Sequence, residues 1–285
     1  MNANLNANRN LSALREAGSS IRRVKELPRT ARRLTKTSLL VADALLEPTS
    51  GRRLDPHERA RRIKWLCENV CALHGLRVRV EGSIPEGGAA LVANHISYLD
   101  PLAIASERGL AAIAKRDVLE WPILGRALKD LGLLFVDRAD PMSGAEVLRR
   151  SIRLFERDLP VLTFPEGTTT RGDDVLPFKR GIFGAAILTG VPIVPITVRY
   201  GDAEAAWVDD DPFFPHFLRL TVREITDIRL IVGEPILPRA GDSAEELAAR
   251  AETIIRETIV RETIRENLCR NEKRRGSPSS MPSAA

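Results

Sequence analysis

The chain has 285 residues, 44% hydrophobic and 28% charged, enough for one sizeable α/β domain with extra segments at its ends. Aromatic residues make up only 5%, which argues against a stacking platform for single-stranded nucleic acid, so no nucleic-acid partner is expected. The net charge of +5 suits an anionic partner, and charge alone does not choose among nucleic acid, an acidic membrane face and a phosphorylated substrate.

The opening MNANLNANRN lacks the apolar core of a secretory signal. No run of 18 apolar residues occurs, so no spanning helix is expected. Arg9, Arg15, Arg22, Arg23, Lys25, Arg29, Arg32, Arg33 and Lys36 outnumber Glu16 and Glu26, and a mostly apolar stretch from Ser38 to Leu46 follows. Residues 1–50 are therefore read as a separate basic, amphipathic segment suited to an anionic bilayer surface, with a solvated arm as the alternative. Cys67, Cys71 and Cys269 are too few and too odd for a disulfide framework, which points to a reducing, cytoplasmic setting.

The spacing of Ile63, Leu66, Val70 and Leu73 predicts a helix over His57–His74. Strands are predicted over Arg77–Glu81 and Ala89–Ala93. Helices over Val118–Leu131, Met142–Arg157 and Gly181–Thr189 then alternate with strands over Leu133–Val136, Val161–Phe164 and Ile193–Arg199. Such alternation predicts an α/β domain over 51–268, a mostly parallel sheet flanked by helices. Leu218–Val232 reads as one or two more strands, and Ser243–Asn267 as a long helix opened by a Ser-Ala-Glu-Glu capping box. Residues 269–285 are expected to be a disordered tail.

Open α/β sheets carry their sites just past the carboxyl ends of strands. There stand Asn94-His95-Ile96-Ser97-Tyr98-Leu99-Asp100. A carboxylate can hold one ring nitrogen of a histidine and leave the other free to take a proton. Alternatively, Asp100 before Pro101 is an ordinary helix start, with Asp as N-cap. Past the next strand stands Arg138, either a phosphate ligand or half of a surface ion pair. Past the third stand Glu166, Gly167, Thr168, Thr169, Thr170 and Arg171, either substrate-binding or a polar turn. Lys179 and Arg180 open a helix whose positive end they oppose, which fits a bound anion or two solvated charges. Cys67, Cys71 and His74 share a helix face and are read as core, with no metal site expected. No G-x-S-x-G elbow, P-loop or G-x-G-x-x-G is present.

In this order the blocks resemble those of the lysophospholipid acyltransferase family. Asn94-His95 through Asp100 is similar to its NHxxxxD, and Gly132 through Phe135 to Arg138 is similar to its GxxFxxR. Phe164-Pro165-Glu166-Gly167-Thr168 is similar to its FPEGT, and Val191-Pro192 through Pro195 to its proline block. The match covers about residues 76–200. The resemblance implies catalytic roles for His95 and Asp100. It implies substrate binding by Asn94, Ser97, Gly132, Phe135, Arg138, Glu166, Gly167, Thr168, Arg171, Lys179 and Pro192. It further implies a lysophospholipid acceptor, most simply 1-acylglycerol-3-phosphate, and no cofactor. The donor would be an acyl-CoA or acyl-carrier-protein thioester, used at the cytoplasmic face of a membrane. The family often has arginine or serine after FPEGT, and Thr169 stands there instead. That leaves open a lyso-aminolipid acceptor, with a non-catalytic binder of anionic lipid or nucleic acid as the rival from another class.

Overall fold

The computed structural model describes residues 28–43, 54–120, 124–208 and 211–275. Helix α1 covers 28–43. Helix α2, Pro56–His74, begins where Asp55 accepts hydrogen bonds from the amides of His57 and Glu58 while Glu58 answers to the Asp55 amide. It stops at Gly75, whose φ of 71° suits a residue without Cβ. Strand β1 is Leu76–Glu81 and β2 is Ala90–Ala93. Helix α3, Asp100–Glu107, leads to β3, Ala111–Lys115, and a 3₁₀ turn over Arg116–Glu120. Then follow α4 (Leu124–Asp130), β4 (Leu134–Val136), α5 (Pro141–Phe155) and β5 (Val161–Thr163). Helix α6 is Gly181–Thr189, β6 Ile193–Tyr200, α7 Phe213–Val222, β7 Thr226–Val232 and α8 Ala244–Arg275.

The strands form one sheet in the order β1-β7-β6-β2-β5-β3-β4. The five from β6 to β4 are mutually parallel, and β7 runs antiparallel to β6 with β1 parallel to β7. Alternation along β2 shows why the sheet is covered on both sides. Leu91 and Ala93 enter the core with Ile63 and Cys67 of α2 and Ile104 of α3. Ala90 and Val92 enter the opposite core with Phe155 of α5, Phe183 of α6 and Leu247 of α8. A strand buried on both faces reads as a continuous apolar run.

The expected mostly parallel α/β architecture is present. Some element assignments differ. Residues 218–222, expected to begin a strand, instead end helix α7, in which Phe213 and Phe217 stack one helical turn apart and His216 and Leu220 turn inward. Of the single helix expected over Val118–Leu131, residues 118–120 lie in a 3₁₀ turn and residues 124–130 in α4, while residues 121–123 lie outside the described ones. Ala-rich β3 was not foreseen. The boundary at 268 falls inside α8, which continues to Arg275; residues 276–285 lie outside the described ones. Ser243 and Glu246 form the expected capping box.

The N-terminal segment is not separate where it is described. Arg33 of α1 is buried and donates to the carbonyls of Thr221, Arg223 and Glu224 at the end of α7, while Arg29 donates to that of Val222. These carbonyls are the unpaired acceptors of a helix terminus, at its negative end. Leu39 stays exposed. Residues 1–27 and 44–53 lie outside the described ones, with the rest of the basic arm. Among the described residues no helix is long and apolar enough to cross a membrane.

Candidate active site

Strand β2 leaves the sheet at Ala93, and the next residues are tied down individually. Asn94 is buried and lies alongside β6, donating to the Val198 carbonyl at 3.1 Å and accepting from the Val198 amide at 2.7 Å. With both functions spent on backbone it continues the sheet, so the structure does not place it as the substrate ligand expected.

Asp100 does not cap α3; Leu99 holds the cap position and no side chain caps. The Asp100 carboxylate is fully buried and turns back toward the preceding loop. Its Oδ2 accepts from the amides of Ile96 (2.6 Å) and Ser97 (2.9 Å) and from Nδ1 of His95 (2.8 Å). Its Oδ1 accepts from the Tyr200 hydroxyl at 2.6 Å. Since Nδ1 donates to the carboxylate, Nε2 keeps its lone pair. Nε2 has no partner among the described residues, and the side chain remains 20% exposed. The imidazole stacks on Phe164 with ring centres 4.0 Å apart. One nitrogen is thus fixed in tautomer and orientation, and the other faces outward as an acceptor. Such a group can take a proton from a hydroxyl brought against it.

The loop after β5 clamps the histidine's backbone. The buried Glu166 accepts from the His95 amide (2.7 Å) through one oxygen and from the Leu176 amide (2.9 Å) through the other. Burial pushes its carboxyl above the usual range, opposed by these two amides. The Thr170 amide donates to the His95 carbonyl at 2.7 Å. Glu166 therefore ties the His95 loop to its own, and its geometry is that of a brace rather than of the substrate ligand expected. Gly167 has a φ of 81°, and a Cβ there would lie 2.6 Å from Nζ of Lys179. Lys179 thus lies over this loop, and none of the described residues pairs with its ammonium. Thr168 and Arg171 are exposed in the same loop. Ser97 is buried and contributes its amide to Asp100, with its hydroxyl beside that of Tyr200.

Arg138 follows β4 on the same edge of the sheet, three strands from β2 and so about 14 Å away at the usual strand spacing. It is exposed and makes no ion pair with the described residues, so the surface-pair reading does not hold. The rest of its block lies elsewhere. Gly132 precedes β4 at the opposite edge, and with Phe135 it lines a cleft of about 1110 Å³ beside Arg59 and Arg157. Pro192 is also at that edge, its carbonyl accepting from the Ala90 amide. Gly132 and Pro192 are therefore not brought together with His95. A block written contiguously in sequence runs through the sheet from one edge to the other, and only its end reaches the site.

Cys67 and Cys71 are core residues whose thiols burial pushes up to about 12 and about 11. His74 is engaged with Thr37. Among the described residues no cluster of metal-ligating side chains occurs.

A family model described as Acyltransferase matches residues 76–199, which run from β1 to β6. The lyso-ornithine lipid O-acyltransferase of Pseudomonas aeruginosa is 31% identical over 203 residues, 70% of this chain and 78% of that one. The chain belongs to the acyltransferase family. It is an O-acyltransferase of the 1-acylglycerol-3-phosphate acyltransferase type. The 1-acyl-sn-glycerol-3-phosphate acyltransferase of Neisseria meningitidis is 31% identical over 149 residues, 52% of this chain and 58% of that one. In fold, the acyltransferase resembles the crystal structure of the 1-acyl-sn-glycerophosphate acyltransferase PlsC from Thermotoga maritima. The TM-score is 0.63 at 22% identity, over 85% of this chain and 98% of that one.

Sequence reasoning quoted Phe164 without its stacking role and Thr170 without its bond to the His95 carbonyl, and it missed Tyr200. Tyr200 had a signal: it stands just past the strand expected over Ile193–Arg199.

Proposed function

We propose that this acyltransferase moves a fatty acyl chain from a thioester to the free hydroxyl of a lyso-aminolipid of the lyso-ornithine type, with His95 as general base. The observation that carries this reading is the Asp100-held imidazole with its outward, unpartnered Nε2. Nε2 takes the hydroxyl proton as the oxygen attacks the thioester carbonyl. The tetrahedral adduct then breaks its carbon–sulfur bond, and the imidazolium returns the proton to the departing thiolate. General-base help of this kind contributes roughly 10²- to 10⁴-fold in rate. The donor is acyl-CoA or acyl carrier protein.

Two features favour the lyso-aminolipid. Relatives matched over 70% and 66% of this chain are named lyso-ornithine lipid O-acyltransferases. Thr169 also stands where the family often has a further arginine or serine. A second reading, 1-acylglycerol-3-phosphate as acceptor, is favoured by the exposed cations Arg138 and Lys179, which suit a phosphate. The enzyme would work from the cytoplasmic face of an anionic membrane, held by the basic N-terminal segment and the positive net charge.

Purified protein assayed for thiol release against both lysolipids, with both donors, tests this reading. Release is expected only with acceptor present and greatest with the lyso-aminolipid. His95→Ala should abolish it without lowering the melting temperature by more than a few degrees. Release indifferent to acceptor, or surviving in His95→Ala, would overturn the reading.

A further inference from the structure

We infer that Tyr200 is a positioning residue that governs, through Asp100, how readily His95 takes a proton. The Tyr200 hydroxyl donates to Asp100 Oδ1 at 2.6 Å, and it is the donor to that oxygen among the described residues; His95 and two amides share Oδ2. The contact joins β6 to the head of α3, across 100 positions of sequence. It lies one residue beyond the stretch matched by the family model. The inference deepens the general-base reading and rests on it for its kinetic consequence only.

The physics is a competition for one carboxylate. A fully buried carboxylate has no water to spread its charge, so each donor withdraws part of it. What Tyr200 withdraws is not available to an imidazolium on the other oxygen. Tyr200 therefore keeps the dyad from holding His95 in the protonated, inactive form while still orienting the ring. The ionisable groups around the dyad are Tyr200 from β6, Asp100 from α3, Glu166 from the loop after β5 and Tyr98 from the loop after β2. Burial, then Asp100, holds the Tyr200 phenol well above its usual range, so it remains a donor throughout any assay.

Tyr200→Phe removes the donor and keeps the ring. The chain has four histidines and two tyrosines, which makes the measurement tractable. His95 is followed by NMR titration of labelled imidazoles, assigned by the peak missing in His95→Gln. In Tyr200→Phe its protonation midpoint should move up by about half to one pH unit, and the acid limb of kcat/KM should follow. The opposite perturbation keeps the fold even if Tyr200→Phe does not. Fluorotyrosine, a stronger donor, incorporated in a Tyr98→Phe background places the label at Tyr200 alone and should move the midpoint down relative to that background. The titration reads the coupling whether or not thiol is released, so its failure is separable from failure of the proposed reaction. A merely structural tyrosine would lower activity evenly across pH. A midpoint unmoved by both changes, or moved in the same direction by both, overturns the inference.

Discussion

Asp100 accepts four hydrogen bonds from four separate donors. Asp100→Asn replaces one acceptor oxygen with an amide that must face a donor it cannot accept from. Because the site is dry, the mismatch costs about 1–3 kcal/mol. It also frees the imidazole to turn over. We expect kcat to fall by roughly 100-fold or more and the melting temperature to drop; kcat within threefold of wild type would deny the carboxylate its role. Gly167 offers a second test. Its φ of 81° and its closeness to Lys179 mean that Gly167→Ala both strains the backbone and displaces the ammonium. About 1–3 kcal/mol of stability should be lost in denaturant titration, with a raised KM for the acceptor. At this scale the histidine and aspartate were legible from the apolar strand before them and the helix after them. Asn94 and Glu166 were not, because their residue types suit ligand and brace equally and only the partner across the gap distinguishes them.

Helix α1 is held through its polar atoms. Thr37 gives its hydroxyl hydrogen to the Arg33 carbonyl, so at 2.8 Å it accepts from Nε2 of His74, which is therefore the protonated nitrogen of a neutral ring. Burial, then the nearby Arg33, pushes His74 down to about 4. A folded value below the ordinary 6.5 means that the unfolded chain binds the extra proton first, so stability falls as pH drops from 6.5 to about 4. The loss should approach about 3 kcal/mol, and His74→Gln should flatten that part of the stability–pH curve. The same docking predicts that Arg33→Ala speeds amide exchange across 28–43 by tenfold or more, since three carbonyls lose one buried charged donor. Helices with regular apolar spacing and a glycine just past the end, such as α2 and α6, were readable to within a residue. Helix α7 was not, because Leu-Arg-Leu-Thr-Val alternates like a strand and only its packing under the aromatic residues Tyr98 and Trp207 settles it. Ala-rich β3 has little intrinsic strand preference and is a strand because its neighbours are.

Across the whole molecule, the parallel strands send their carboxyl ends to one edge. That edge collects His95, Glu166, Tyr200 and Arg138, while Gly132 and Pro192 fall at the other. Alternating elements announced such a sheet, but strand order and the antiparallel join of β6 with β7 depend on contacts between distant segments and left no local trace. If the basic arm serves an anionic surface, adsorption to vesicles containing phosphatidylglycerol should weaken at least several-fold between about 50 and 500 mM salt. Equal adsorption to neutral vesicles would remove electrostatics from that account.

The pairing of β1 with β7 reaches beyond the finished enzyme. Leu76 lies opposite Thr226, so during synthesis the first strand waits for about 150 further residues before its neighbour exists. At ordinary ribosomal speeds that is roughly 10–30 s. Through that interval the nascent chain carries an unmatched strand, the kind of edge that recruits strangers. The terminal stages of translation, rather than the catalytic half made earlier, should decide how much of this protein reaches its native state.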